Sequence, residues 1–212
     1  MTPCETFHMS GMTRLRPRLA AAAVTAAAAA LVLTACSSSG SSASGDGQIG
    51  FVTVKGSNIS IAAVGHRQEA PDIGGDTLEG TPAKLSDYRG KVVVLNVWGS
   101  WCGPCRSEAD DLQRVWDKYR DQGVQFLGIN TRDTEIKNAV RFEQEKGITF
   151  PSIYDQAGAQ LLKFPKGSLN PQSVPTTLVV DRDGRLAARA VGGQTDDALE
   201  TMLQPVLAEQ QR

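Results

Sequence analysis

Apolar positions recur along this 212-residue chain in three rhythms, and each predicts a different kind of element. The first is the nearly unbroken run. Val92-Val93-Val94-Leu95-Asn96-Val97-Trp98 and Val124-Gln125-Phe126-Leu127-Gly128-Ile129-Asn130 have the composition of strands covered on both faces. The second is the helical repeat. Ala109, Leu112, Val115, Trp116 and Tyr119 share one face, Asp110, Asp111, Gln113 and Lys118 lie opposite, and Gly123 ends the pattern. A second helix carries Ile136, Ala139 and Val140 to Gly147 behind a capping signal at Asp133-Thr134. A third begins near Thr195 and buries Leu199, Met202, Leu203, Val206 and Leu207, with Pro205 expected to kink or fray it.

The third rhythm is the short extended piece bounded by turn residues. Gly50 to Val54 and Ile59 to Ile61 predict a hairpin around Lys55-Gly56-Ser57-Asn58, read as a preface to the domain. Short extended pieces joined by Gly and Pro turns follow from Ala70 to Gly90. Phe150 to Tyr154 predicts a short strand, Ala157 to Phe164 a short helix, and Pro165 to Gln172 a loop. Val174 to Asp181 and Arg185 to Val191 form a hairpin around Arg182-Asp183-Gly184, because Asp-Gly supplies the positive φ of such turns. Strand, helix, strand, helix in the middle of the chain predicts a parallel element.

The N-terminal stretch follows none of these rhythms. Arg14, Arg16 and Arg18 precede an uncharged, Ala-rich run of 15 residues from Leu19 to Leu33. That run is short for a membrane-spanning helix, which needs about 20 residues, and it fits a secretory signal peptide. Leu33-Thr34-Ala35-Cys36 resembles the bacterial lipobox, which makes Cys36 the lipid attachment point; an uncleaved anchor, or a signal peptide with a chance cysteine, is the alternative. Ser37 to Gly45 has linker composition. The expected organisation is a signal peptide over 1–35, a lipid-anchored linker over 36–48, an N-terminal extension over 49–69 and one domain over 70–212. Met9 and Met12 are alternative starts, and from either Cys4 is never made.

Charge adds little. Lys and Arg total 22 against 23 Asp and Glu, so no field argues for a nucleic-acid partner. The cysteines matter more. Cys102-Gly103-Pro104-Cys105 sits between the first buried strand and the first helix, where free N–H groups and the helix dipole favour a thiolate. That setting fits thiol-disulfide exchange, and half a zinc site or a structural disulfide are the alternatives. After cleavage at Cys36 the only histidine is His66, so a Cys2His2 or copper site lacks ligands and no metal is expected. A Ser-His-Asp hydrolase fails for the same reason, and a non-catalytic tethered binding module remains as the rival from another class.

The succession of strand, Trp-Cys-Gly-Pro-Cys, helix, strand, helix, Val-Pro-Thr, hairpin and helix resembles the thioredoxin fold. More narrowly it is similar to the membrane-anchored TlpA/ResA branch of that superfamily, on Ala70-Pro71-Asp72, Leu85 to Lys91, Leu95 to Glu108 and Val174-Pro175-Thr176-Thr177. The resemblance implies an α/β thioredoxin fold, a central mixed sheet flanked by helices. It also implies an N-terminal β extension and a family-type insertion before the cis-proline strand. A peroxiredoxin would carry Thr or Ser three residues before its reactive cysteine, where this chain has Gly99.

On that resemblance Cys102 is the attacking thiol, exposed at the helix start, and Cys105 resolves the mixed disulfide. Glu108, three residues on, tunes thiol acidity and proton transfer; its alternative is a solvated first-turn acid favoured by the dipole. Asn96 stands where cytosolic thioredoxins carry a buried Asp, and Asn cannot take up a proton near neutral pH. Pro175 matches the cis-proline, and with Val174, Trp101, Gly103 and Pro104 it forms the substrate-facing surface, while Trp98 is packing. The expected activity is extracytoplasmic thiol-disulfide exchange without a cofactor. The favoured role is a reductant of protein disulfides, such as that of an apocytochrome c, recharged by a membrane thiol donor and acting as a monomer. An oxidant or isomerase is the alternative within the class.

Overall fold

The computed structural model describes residues 50–209. The predicted leader, the lipobox residue Cys36 and the Ser/Gly linker lie outside the described residues. Among the described residues no helix is long and apolar enough to cross a membrane.

The buried runs form the centre of a seven-stranded mixed sheet. Its strands are β1 (Phe51–Thr53), β2 (Ile59–Ala62), β5 (Val92–Trp98), β6 (Val124–Thr131), β7 (Ser152–Asp155), β8 (Thr176–Val180) and β9 (Leu186–Val191), in the order β1-β2-β9-β8-β5-β6-β7. β5, β6 and β7 are parallel and the other neighbours antiparallel. A separate two-stranded ribbon pairs β3 (Gly74–Asp76) with β4 (Pro82–Lys84). The helices are α1 (Gly103–Tyr119), α2 (Ile136–Lys146) and α3 (Asp196–Ala208), and α2 and β7 form the segment inserted between β6 and β8.

Every residue of β5 and β6 is buried because the sheet is covered on both sides. Val93, Leu95 and Val97 pack with Leu178 and Val180 against Ile73, Leu85, Leu161 and Leu169 from the connecting segments. Val92 and Val94 face the other way, onto Leu112 and Val115 of α1 and Leu199, Met202 and Leu203 of α3. The period of two therefore puts Asn96 on the same face, under α1.

Four expectations change. The N-terminal hairpin is no preface: β2 pairs with β9 from Ile59↔Ala190 to Ile61↔Ala188, so it extends the main sheet and gains the neighbours an isolated hairpin lacks. Ala157 to Phe164 yields only a 3₁₀ turn at Leu161–Lys163. α3 runs through Pro205 to Ala208, and its buried Leu199, Met202, Leu203 and Val206 hold it against the core. The Asp133-Thr134 capping signal is unused, since the N-cap of α2 is Glu135 with no side-chain cap bond.

Candidate active site

The end of β5 passes through Gly99-Ser100-Trp101 directly into α1. Gly99 is required there, because a side chain would collide with the Trp101 indole and come within 3.1 Å of the Thr131 carbonyl oxygen. Trp101 folds back to donate its Nε1–H to Thr131 O at 3.2 Å, yet stays 50% exposed. The Arg132 guanidinium lies 4.9 Å from its ring centroid, and Arg132 has φ 59°, in the left-handed region that side chains seldom occupy. Asp133 holds the turn from beneath, accepting from Ser100 N–H at 2.8 Å and from Asn130 Nδ2 at 2.7 Å.

Cys102 is the N-cap of α1, and its Sγ accepts the Cys105 N–H at 3.2 Å. Pro104 fits in the first turn, where a missing N–H leaves nothing unsatisfied. The two cysteines are joined by a disulfide with their Cα atoms 5.3 Å apart. Cys102 is not exposed in this oxidised state: it is 3% and Cys105 2% accessible, enclosed by Leu78, Trp98, Ala139 and Phe142. Trp98 is packing, stacked on Phe142 at 4.8 Å between ring centroids. Opposite, the Val174–Pro175 peptide is cis, and the Val174 carbonyl oxygen lies 3.7 Å from Cys102 Sγ.

Glu108 lies one helical turn beyond Cys105 and is 2% exposed, so it is no solvated surface acid. Asn96 Nδ2 donates to its Oε1 at 2.9 Å and to Thr177 Oγ1 at 3.2 Å, and Gln194 N–H donates to its Oε2 at 2.8 Å. Burial lifts its carboxyl from the ordinary 4.5 to about 7, against the pull of those two bonds. A carboxyl poised there can give up or take a proton near neutral pH. The Cys102–Cys105 disulfide holds the parts for a cycle of thiolate attack on a disulfide sulfur, mixed disulfide and displacement by the second thiol. No group of three or more His, Cys, Asp or Glu side chains able to hold a metal occurs among the described residues.

Residues 66–189 match the AhpC/TSA family model. The chain belongs to that family. Within it the chain is 32% identical over 161 residues to the thiol-disulfide oxidoreductase ResA of Bacillus cereus, covering 76% of this chain and 89% of that one. Among solved structures it resembles a secreted thiol-disulfide isomerase from Corynebacterium glutamicum at 36% identity and a TM-score of 0.67, covering 74% and 96% of the two chains. A DsbF homologue from Corynebacterium diphtheriae gives the same identity and TM-score, covering 75% and 99%. This AhpC/TSA member has the thioredoxin fold and is a thiol-disulfide oxidoreductase of the ResA/DsbE-like type, acting on protein disulfides.

The structure brings Trp101, Cys102, Gly103, Pro104, Cys105, Val174 and Pro175 together at one end of the sheet, with Glu108 behind the cysteines. The residues that sequence reasoning missed are Asp133, Thr177, Gln194 and Arg132. Ser100 and Asp133 are 33 positions apart, and Glu108 and Gln194 are 86 apart. No local pattern links such pairs.

Proposed function

We propose that the protein is an extracytoplasmic reductant of protein disulfides, with Cys102 attacking, Cys105 resolving and Glu108 exchanging the proton. One observation carries the direction: a carboxyl is buried on the helix that begins at the thiol pair. A strongly oxidising pair is one whose reduced form is stabilised by an acidic, well-held thiolate. A buried carboxylate does the reverse. Above its value of about 7, Glu108 places negative charge behind the cysteines, disfavours a thiolate there and so favours the disulfide product.

The signal peptide, the lipobox at Cys36 and the linker support a location outside the membrane, tethered to it. There the pair drifts to the disulfide, so the reading requires a membrane thiol donor. An apocytochrome c disulfide is the substrate that the resemblance to the TlpA/ResA branch suggests. The surface formed by Trp101, Val174 and Pro175 suits an extended segment, since the Val174 carbonyl offers an acceptor beside Cys102.

The test is transfer in both directions. The reduced protein should reduce insulin stoichiometrically, and the oxidised protein should fail to oxidise reduced, unfolded ribonuclease. Rapid oxidation of ribonuclease with poor insulin reduction contradicts the proposal. The name of the C. glutamicum relative favours isomerisation as a second reading, and reactivation of scrambled ribonuclease would support it.

A further inference from the structure

A second buried carboxylate, besides Glu108, lies near the pair. Glu143, on α2, is 7% exposed, and its Oε1 has no hydrogen-bond partner. An unsatisfied buried carboxylate oxygen is costly, so it marks either a proton on the group or a water against it. Glu143 lines a cavity of about 10 Å³ together with Asn96, Trp98, Cys105, Phe142 and Phe150. That is room for one water at most, and Glu143, Asn96 and Cys105 are the residues with polar side-chain atoms in an otherwise apolar lining, the unpartnered Glu143 Oε1 among them. Glu143 also lines a solvent-open pocket of about 230 Å³ with Leu78, Glu79 and Thr149. The side chain thus stands between solvent and the cavity behind Cys105.

We propose that Glu143 is a relay residue that carries protons between solvent and Cys105 through one water in this cavity. The inference rests on the oxidoreductase reading above. When a donor thiolate attacks Cys102 Sγ, the Cys102–Cys105 bond breaks and its electron pair leaves on Cys105 Sγ. That thiolate takes a proton from the cavity water, the water takes one from Glu143, and Glu143 is reprotonated through the outer pocket. In the other direction the Cys105 thiol passes its proton to the Glu143 carboxylate by the same path. The Cys105 thiolate then attacks Cys102 Sγ of the mixed disulfide, and the substrate sulfur leaves with the electron pair.

The groups that face Glu143 are Ser152 from β7, Glu79 from the turn between β3 and β4, and, across the cavity, Cys105 and Asn96, which is itself bonded to Glu108. Burial lifts the Glu143 carboxyl to about 7; Ser152 pulls it down and Glu79 pushes it up. The group therefore changes charge near neutral pH.

The test separates the two thiol steps. Reduced protein is mixed with a small aromatic disulfide at pH 5 to 9. The first coloured thiolate reports attack by Cys102 and the second reports resolution by Cys105. Glu143→Gln should slow the second release about tenfold at neutral pH and above, leaving the first within about twofold, and Glu143→Asp should restore part of the loss. Equal slowing of both steps, or an unchanged second step at every pH, overturns the proposal. If Glu143→Gln does not fold, the wild type suffices: the second step measured in mixtures of light and heavy water should curve, as transfer through a water requires, and a linear dependence contradicts it. Loss of both releases in the wild type would instead refute the oxidoreductase reading.

Discussion

Asn96 Nδ2 donates to Glu108 Oε1 at 2.9 Å, tying the middle of the sheet to the turn of α1 that follows the cysteines. Asn96 is the one polar residue of β5 apart from the indole of Trp98, and the alternation along that strand turns it toward the Glu108 carboxylate. The bond favours the ionised carboxyl and burial the protonated one, and burial wins. The pH behaviour of the protein should follow from that balance.

Thiol attack needs a proton acceptor, and Glu108 is a carboxylate only above about pH 7. Insulin reduction by the wild type should rise through that pH. Glu108→Gln should lose the inflection and be slower by about 10²-fold at pH 7.5, the usual size of a general acid–base contribution. A variant whose pH profile overlays the wild type would remove Glu108 from the mechanism.

Stability should move the opposite way. The folded-state carboxyl of Glu108 sits at about 7 rather than the ordinary 4.5, so its contribution is full below about pH 4.5 and lost as pH rises through about 7. The rise of about 2.5 at about 1.4 kcal/mol per pH unit amounts to about 3 kcal/mol. Urea unfolding at pH 5 and pH 8 should show the wild type weaker at pH 8. Glu108→Gln should remove about half of that difference, because Glu143, also near 7, supplies a similar share. An unchanged difference in the variant would contradict the assignment.

The two cysteines should separate on substitution. Cys102→Ser should abolish insulin reduction, whereas Cys105→Ser should retain one attack and stall as a mixed disulfide. Non-reducing electrophoresis with mass spectrometry checks this, and an adduct at Cys105 in Cys102→Ser would reverse the assigned order.

Far from the site, Arg67 pairs with Asp181 at 2.9 Å and Glu209 at 2.6 Å while donating Nε–H to Ala62 O at 3.0 Å. Its side chain is 2% exposed and that of Asp181 9%. Arg67→Ala leaves Asp181 buried without its partner and should cost about 3–5 kcal/mol in denaturant unfolding, with thiol exchange per folded molecule unchanged. A cost under about 1 kcal/mol would mean that the clamp is solvated.

Much of this was legible in the sequence for physical reasons. The runs of β5 and β6 and the repeats of α1 and α3 report burial on two faces or one, and burial decides their structure. Cys102 and Cys105 were legible because their chemistry depends on a local arrangement, a thiol at a helix start. What failed depended on distant partners. Asp133 reads as a cap from its neighbours, yet it is claimed by Ser100 and Asn130. Cys102 reads as exposed, but it is buried in a cluster that includes Leu78 and Phe142 from remote segments. The surroundings of Glu108 needed Gln194, which no spacing rule reaches.

The reductant claim is tested most directly by the equilibrium reduction potential of the Cys102/Cys105 couple, measured in thiol redox buffers at pH 7. The account predicts a value near that of thioredoxin, about −270 mV, and a value near −120 mV, that of a strong disulfide donor, would contradict it.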